Sequence, residues 1–213
     1  MLINPDEVLR LLKSKNITIT GVFHIGACDC EELGFYNNKL GLENKDVIWI
    51  DAIKEKVENA KKRGITTIYN EVITDKDGDE IEFNVTNNLA SSSILELGTH
   101  AKEHPHIHYT HKIKMKSITI DSFLKKYDIN NNLLNFWNLD IQGAELLALQ
   151  GGCESMQSVD IMYLEVNKNE LYKNCGLISD IDNFLSKHNF KRVKTNITKY
   201  GWGDAIYLNT KYL

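Results

Sequence analysis

Short apolar runs alternate with segments of helical period along this chain. "GVFHIGA" (21–27) and "DVIWIDA" (46–52) are apolar at odd and even positions alike, the mark of strands covered on both faces. Between them "EELGFYNNKL" predicts a helix, and "IKEKVENAKKRG" predicts a charged helix closed by Gly64. "TTIYNEVIT" predicts a third strand. "TDKDGDEIEFNVT" sets a turn signal between two strand-like runs and predicts a hairpin. Residues 87–112 show no period over a length that usually goes with function or mobility. "IKMKSI" then reads as a strand and "TIDSFLKKYD" as a short helix begun by Thr119 or Asp121. Alternation resumes with the strand "NFWNLDI", the helix "GAELLALQGG" ended by Gly151 and Gly152, and the strand "DIMYLEV". "LISDIDNFLSKHN" gathers Ile178, Ile181, Phe184 and Leu185 on one helical face. "FKRVKTNIT" and "GDAIYLNT", separated by "KYGWG", finish as two strands.

Strands alternating with helices predict an α/β fold with a mainly parallel open sheet covered on both faces, and the closing pair predicts an antiparallel hairpin at one edge. The expected organisation is one domain over 1–213, with an N-terminal helix and lead-in over 1–20 and a substrate loop or lid over 87–112. A chain of 213 residues, 42% hydrophobic, suffices for a full sheet-and-helix core. Its net charge of −4 argues against a duplex-binding surface, so no nucleic-acid partner is expected. The mixed charges of "KEKVENAKKR" read as a solvated helix face. Cys28, Cys30, Cys153 and Cys175 are too few for a disulfide scaffold, and the C-x-C pair lacks the spacing of a structural zinc site. A reducing, cytoplasmic setting is expected. "MLINPDEVLRLLKSKN" has no apolar core of a signal peptide and reads as a Pro-started helix; no run elsewhere is long enough for a membrane span.

In an open α/β sheet, ligands sit beyond the carboxyl ends of the strands, near the switch in strand order. The residues there are His24 to Ala27, Asp51 and Ala52, Asn70 to Val72, Asp140 to Gly143, and Glu165 to Asn167, and each group is polar or contains glycine. Gly26 permits a sharp turn and close backbone approach. Asp51 follows at a distance comparable with the roughly 20 residues expected of an acid that bonds a ribose diol. No further glycine follows Gly26 to admit a pyrophosphate, and there is no Walker loop. A nucleoside cofactor without phosphates fits, and S-adenosylmethionine is the obvious one. In "LDIQGAELLALQGG", Asp140 either ends its strand at the site or is a buried acid needing partners. Glu145 lies in the first turn of the next helix, where capping and function explain it equally well.

These segments resemble the FkbM-type family of S-adenosylmethionine-dependent methyltransferases. The resemblance rests on "HIGACDCEE" with "FY" just after it, "VIWIDA", "SSSIL", "LDIQGAELLALQGG", "YLEVN", "DIDNFLSKHNFKRV" and "GWGDAIY", in order from about residue 20 to 208. The Asp-x-Gln-Gly-x-Glu element at 140–145 is its most specific part. Members commonly carry another Gly or a polar residue where this chain has Cys28-Asp29-Cys30. The resemblance implies a Rossmann-like class I methyltransferase fold with a mostly parallel seven-stranded sheet. It also implies transfer of a methyl group to a hydroxyl, the family's acceptors including sugars, glycan chains and polyketide-type metabolites.

Carried over position by position, His24, Gly26, Ala27 and Glu31 belong to the first cofactor loop, with Gly26 and Ala27 facing the methionine part. Asp51, beside Ala52, holds the ribose hydroxyls, and Asn70, Glu71 and Val72 flank the adenine. Asp140 is the candidate for orienting or deprotonating the acceptor hydroxyl, and His100 is a second candidate base. Ser92, Ser93, Gln142 and Glu165 are expected on the acceptor, a sugar or glycan. His100, His104, His106, His108 and His111 raise a metal reading, but Mg2+ prefers oxygen ligands and Glu103 is nearly alone there. No metal is therefore assigned. The alternatives are a catalytically inactive binding module on the same fold and an O-methyltransferase of small metabolites.

Overall fold

Four strands buried along their whole length form the centre of the structure: β1 (Val22–Ile25), β2 (Val47–Asp51), β7 (Phe136–Leu139) and β8 (Ile161–Asn167). The computed structural model describes residues 1–213. The central strands run parallel, with Val22 opposite both Val47 and Phe136, and Phe136 opposite Ile161. β3 (Ile68–Asn70) adds outside β2. At the other side β10 (Trp202–Asn209) lies antiparallel to β8, and β9 (Phe190–Ile197) lies antiparallel to β10 at the edge. The order is β3-β2-β1-β7-β8-β10-β9, and it reverses direction between β1 and β7.

Alternation along these strands sends side chains to two cores. Phe23, Ile25, Trp137, Leu139, Met162 and Leu164 pack on one face beneath α5 (Ile120–Lys126), α6 (Glu145–Gln150) and α7 (Ile178–Lys187). Val22, Val47, Trp49, Phe136 and Ile161 pack on the other beneath α1 (Pro5–Ser14), α2 (Leu33–Asn38) and α3 (Lys54–Lys62). This two-sided cover is why no polar period shows in the strand sequences. α3 ends at Gly64, whose φ of +88° is the left-handed conformation that glycine adopts without penalty. Thr119 caps α5 by accepting from the Ser122 N–H.

Three expectations are corrected. "TTIYNEVIT" is two strands: β3 stays in the main sheet, while β4 (Val72–Ile73) pairs in a second sheet with β6 (Tyr109–Ile118). The break falls at Glu71, whose carboxylate accepts from Lys126 Nζ (2.6 Å) and Tyr127 O–H (2.5 Å) as the chain changes sheets. The run "EIEFNVT" is β5 (Glu80–Thr86), but its antiparallel partner is β6 rather than the preceding run. The irregular stretch ends earlier than expected, since β6 begins at Tyr109 and α4 (His100–Glu103) lies inside it. The first half of β6 is wholly exposed and paired by such contacts as Lys112 Nζ to Glu82 (2.7 Å), so only its second half, "IKMKSI", carries an alternation to announce it.

Candidate active site

The loop after β1 crosses tightly over the end of β2. The N–H groups of Gly26 and Ala27 both donate to the Ile50 carbonyl (2.9 Å each), and Asp140 N–H donates to the Ile25 carbonyl (2.9 Å). Gly26 has φ +92°, and a Cβ there would stand 1.8 Å from the Asp140 carbonyl oxygen. Cys28 and Cys30 also take positive φ, 43° and 53°, a conformation that costs a non-glycine residue about 1–2 kcal/mol. The loop thus makes its left-handed turns with cysteines, and Cys30 offsets its strain by packing into the core.

Asp51 closes β2 under this loop. Its Oδ2 accepts from Cys28 N–H and its Oδ1 from Ile53 N–H, both at 2.7 Å. Burial pushes its carboxyl up to about 6, against the pull of those two donors and of Lys56. Each oxygen keeps a second lone pair, which is the acceptor pattern a vicinal diol requires. Lys56, on α3, reaches Asp29 (2.7 Å) along the rim. A cleft opens here, lined by Gly26, Asp51, Ala52 and Asp140 and by the apolar side chains of Ile53, Ile73, Phe83 and Leu89.

Beyond β7 and β8 the acids form a row. Glu165 on β8 is the register partner of Asp204 on β10, and Leu139 pairs with Leu164, so Asp140 follows beside Glu165. Gln142 Nε2 donates to Asp140 Oδ1 and to Glu165 Oε2, both at 2.7 Å. Tyr163 O–H donates to Asp204. Asp140 is exposed and its side chain opens to the cleft, with the protein body behind it. That body, then the negative charges of Asp204 and Glu32, push its carboxyl up to about 6, and the Gln142 amide opposes the push. Glu165 is buried, and desolvation followed by Asp140 and Glu145 holds it well above the usual carboxylate range. A second cavity of about 1050 Å³ is lined by this row together with His100, Tyr172 and Trp202. No Lys or Arg lines it. The two cavities share Gly26, Cys28, Ala90, Asp140 and Gln142.

Of the residues expected from sequence, Asp51, Ala52, Glu71, Val72 and Ser92 line the first cavity, His100 and Glu165 the second, and Gly26, Asp140 and Gln142 both. Five others point elsewhere. His24 is buried under the loop, stacked on Trp49 (4.6 Å between centroids) with Nδ1 3.0 Å from Tyr36 Oη. Burial lowers its pKa to about 4, so it is a neutral core residue. Ala27 faces the core, because the turn at Gly26 directs successive side chains to opposite sides. Glu31 is exposed, and it is the neighbouring Glu32 whose charge reaches Asp140. Asn70 braces the β2 end by donating to the carbonyls of Asp51 (3.0 Å) and Ala52 (2.8 Å). Ser93 donates to the Gln142 carbonyl (2.9 Å) and supports that loop rather than lining either cavity. Glu145 is a buried tie: one oxygen accepts from the N–H groups of Ile141 (2.8 Å) and Gly143 (3.2 Å). Asp140 itself is accessible rather than a buried acid.

Lys56, Tyr172, Trp202 and Asp204 line the cavities without having been singled out from sequence. Lys56 was hidden in a run that reads as solvated, although it falls in the first turns of a helix leaving a site strand. Asp204 was legible in principle, as an acid set in the otherwise apolar run of β10. Of the histidines, His100 is buried, its ring 4.9 Å from His104 and 5.6 Å from Tyr172, and burial followed by His104 lowers its pKa. His106, His108 and His111 are exposed, and no three His, Cys, Asp or Glu side chains form a group able to hold a metal ion.

A family model described as Methyltransferase FkbM domain matches residues 24–192. Among solved structures, the methyltransferase FkbM from Methylobacillus flagellatus KT aligns with TM-score 0.52 at 13% identity, over 89% of this chain and 44% of that one. This chain therefore spans less than half the length of that protein. A magnesium protoporphyrin IX methyltransferase from Synechocystis PCC 6803 with bound SAM gives 0.43 at 12% identity, over 96% and 77% of the two chains. A SAM dependent methyltransferase from Aquifex aeolicus gives 0.41 at 15%, over 98% and 90%. No curated protein sequence matches the chain. The family match bears out the resemblance carried by the "HIGACDCEE" and "LDIQGAE" segments, and the first structural likeness agrees with the seven-stranded fold.

Proposed function

This chain belongs to the FkbM methyltransferase family, and from that premise we propose that it transfers the methyl group of S-adenosylmethionine to a hydroxyl of a sugar or glycan. The observation that carries the reading is the meeting of the two cavities at Asp140, one suited to a nucleoside and the other to a polar acceptor. The residues present fit the cofactor. Gly26 and Cys28 line the cleft where the methionine portion would pass, Asp51 offers free lone pairs to the ribose hydroxyls, and the apolar Ile53, Ile73 and Phe83 suit an adenine ring. Glu71 and Val72 line the same cleft. Bound there, the cofactor supplies an electrophilic methyl carbon.

The chain's own part is to orient the acceptor and take its proton. A sugar hydroxyl is a weak nucleophile near neutral pH, and a carboxylate with a raised pKa is the better proton acceptor for it. Asp140 meets that need, with one oxygen held by Gln142 and the other oxygen left for the hydroxyl. Glu165, held well above the usual carboxylate range by burial, lines the acceptor cavity beside Asp140 and shares the Gln142 amide with it. Trp202, half-buried at the cavity, supplies an apolar ring face of the kind sugars stack on. The segment 87–112 brings Ala90, Ser91 and His100 over the acceptor and acts as its lid, with His100 second to Asp140 as a base. The chain acts as one methyltransferase domain.

The test is incubation with S-adenosylmethionine carrying a 13C methyl and a panel of neutral sugars and oligosaccharides, read by mass spectrometry. A single labelled methyl on a hydroxyl supports the reading. Cofactor turnover onto carbon or nitrogen acceptors alone would replace it.

A further inference from the structure

Gln142 can hold Asp140 and Glu165 together only if its amide points one way. Both carboxylate oxygens are acceptors, so Nε2 must face them and Oε1 must face away. Tyr172 enforces that orientation: its O–H donates to Gln142 Oε1 at 2.7 Å. The same hydroxyl lies 3.2 Å from the Ser91 carbonyl, in the segment over the acceptor cavity. Tyr172 is itself fixed, buried against Leu171 and Cys175 with the His100 ring 5.6 Å away. Gly143 is closed in by it, since a Cβ there would stand 3.1 Å from Tyr172 Cβ. Gln142 holds a φ of +57° between these contacts, so the loop has little freedom to supply the amide from elsewhere.

We infer that Tyr172 is a positioning residue for Asp140, acting through the Gln142 amide and linking the segment around Ser91 to the proton-accepting carboxylate. The inference rests on the proposed role of Asp140, but its physical content does not need the reaction. With the amide held, an N–H donates permanently to Asp140 Oδ1 and favours the ionised form. Without the Tyr172 hydroxyl, nothing holds the amide oxygen away from the acids, and each rotation of the amide breaks the donation to Asp140. The carboxyl of Asp140 should then become harder to ionise. The other groups facing Asp140 are Glu165 on β8, Asp204 on β10, Glu145 on α6, Glu32 ahead of α2 and the Met1 amino group. None of them is changed by removing one hydroxyl from Tyr172.

The experiment is a carboxyl 13C NMR titration of protein labelled at aspartate, with the Asp140 resonance assigned by its loss in Asp140→Asn. Tyr172→Phe keeps the ring and its packing, and should raise the Asp140 midpoint by about 0.5–1 pH unit. Gln142→Met, similar in shape but without an amide, should raise it by at least as much, and the double variant should add nothing to Gln142→Met. An unmoved midpoint in Tyr172→Phe overturns the inference, and so does a Tyr172 effect that persists in the Gln142→Met background. Because the titration uses neither cofactor nor acceptor, it reads this coupling even in a chain that transfers no methyl group. Where turnover is measurable, Tyr172→Phe should lower kcat more than it raises KM and move the acidic limb of the rate profile upward. A fall in kcat with an unmoved limb would mark Tyr172 as structural only and overturn the inference.

Discussion

The backbone at Gly26 lies directly against the backbone of Asp140, with room for a hydrogen but none for a methyl group: a Cβ would sit 1.8 Å from the carbonyl oxygen. The loop after β1 and the loop after β7 are therefore one packed unit, formed where the strand order reverses. Gly26→Ala should destabilise the fold by at least about 2 kcal/mol and remove the thermal shift on adding S-adenosylhomocysteine. Urea denaturation and a melting curve with the cofactor product measure both. Unchanged stability would mean that the two loops are not in contact.

Affinity for the cofactor should depend on pH through Asp51. Its folded pKa is raised to about 6 by burial, and ribose hydroxyls donating to it favour the ionised form. Affinity for S-adenosylhomocysteine should therefore be flat above pH 7 and weaken as pH falls through 6, by roughly tenfold at pH 5. Calorimetry in the Asp140→Asn background assigns the dependence to Asp51, since Asp140 titrates in the same range.

Glu145 should set a slope of stability with pH. Burial raises its folded pKa to about 8, well above the unfolded value, so the native state holds a proton that the unfolded chain releases. Its contribution is fully present below the unfolded pKa and is lost as pH rises through 8. Glu145→Gln keeps an acceptor for the N–H groups of Ile141 and Gly143 and cannot ionise. The variant should be more stable than the parent at pH 9 by on the order of 2 kcal/mol, with the difference vanishing near pH 4. Urea midpoints across that range provide the measurement.

Acceptor charge should matter as well. Asp140 and Asp204 line the second cavity, where the Met1 amino group lies near them and no Lys or Arg does. Neutral sugars should be methylated while the matching uronates and sugar phosphates are not, and the anions should compete at least about tenfold more weakly. Initial rates with paired neutral and anionic acceptors check this.

The sequence made the central sheet legible because strands covered on both faces leave unbroken apolar runs, as in "VFHI" and "VIWID". It made the strand-end acids Asp51, Asp140 and Glu165 legible because a charged group at the end of such a run needs a reason to be there. It misdirected at His24, where a polar residue at a strand end is absorbed by stacking on Trp49 and by the Tyr36 hydroxyl. It showed "IKMKSI" and "EIEFNVT" as strands but not that they pair with each other in a second sheet, since solvated strands have little core face to fix their partners. Tyr172 was invisible for a different reason: its role lies in the direction of one hydroxyl toward Gln142, thirty positions away in the chain. At Cys28 and Cys30 the sequence showed a departure, and the structure shows its form, left-handed turns made without glycine.

The most direct measurement compares the parent with Asp140→Asn for both cofactor binding and methyl transfer. Calorimetry should give S-adenosylhomocysteine affinities within about tenfold of each other, while transfer of a labelled methyl to a sugar hydroxyl falls by roughly 10²–10⁴-fold in the variant. Equal transfer rates in the two proteins, or no binding of either cofactor form to the parent, would contradict the account.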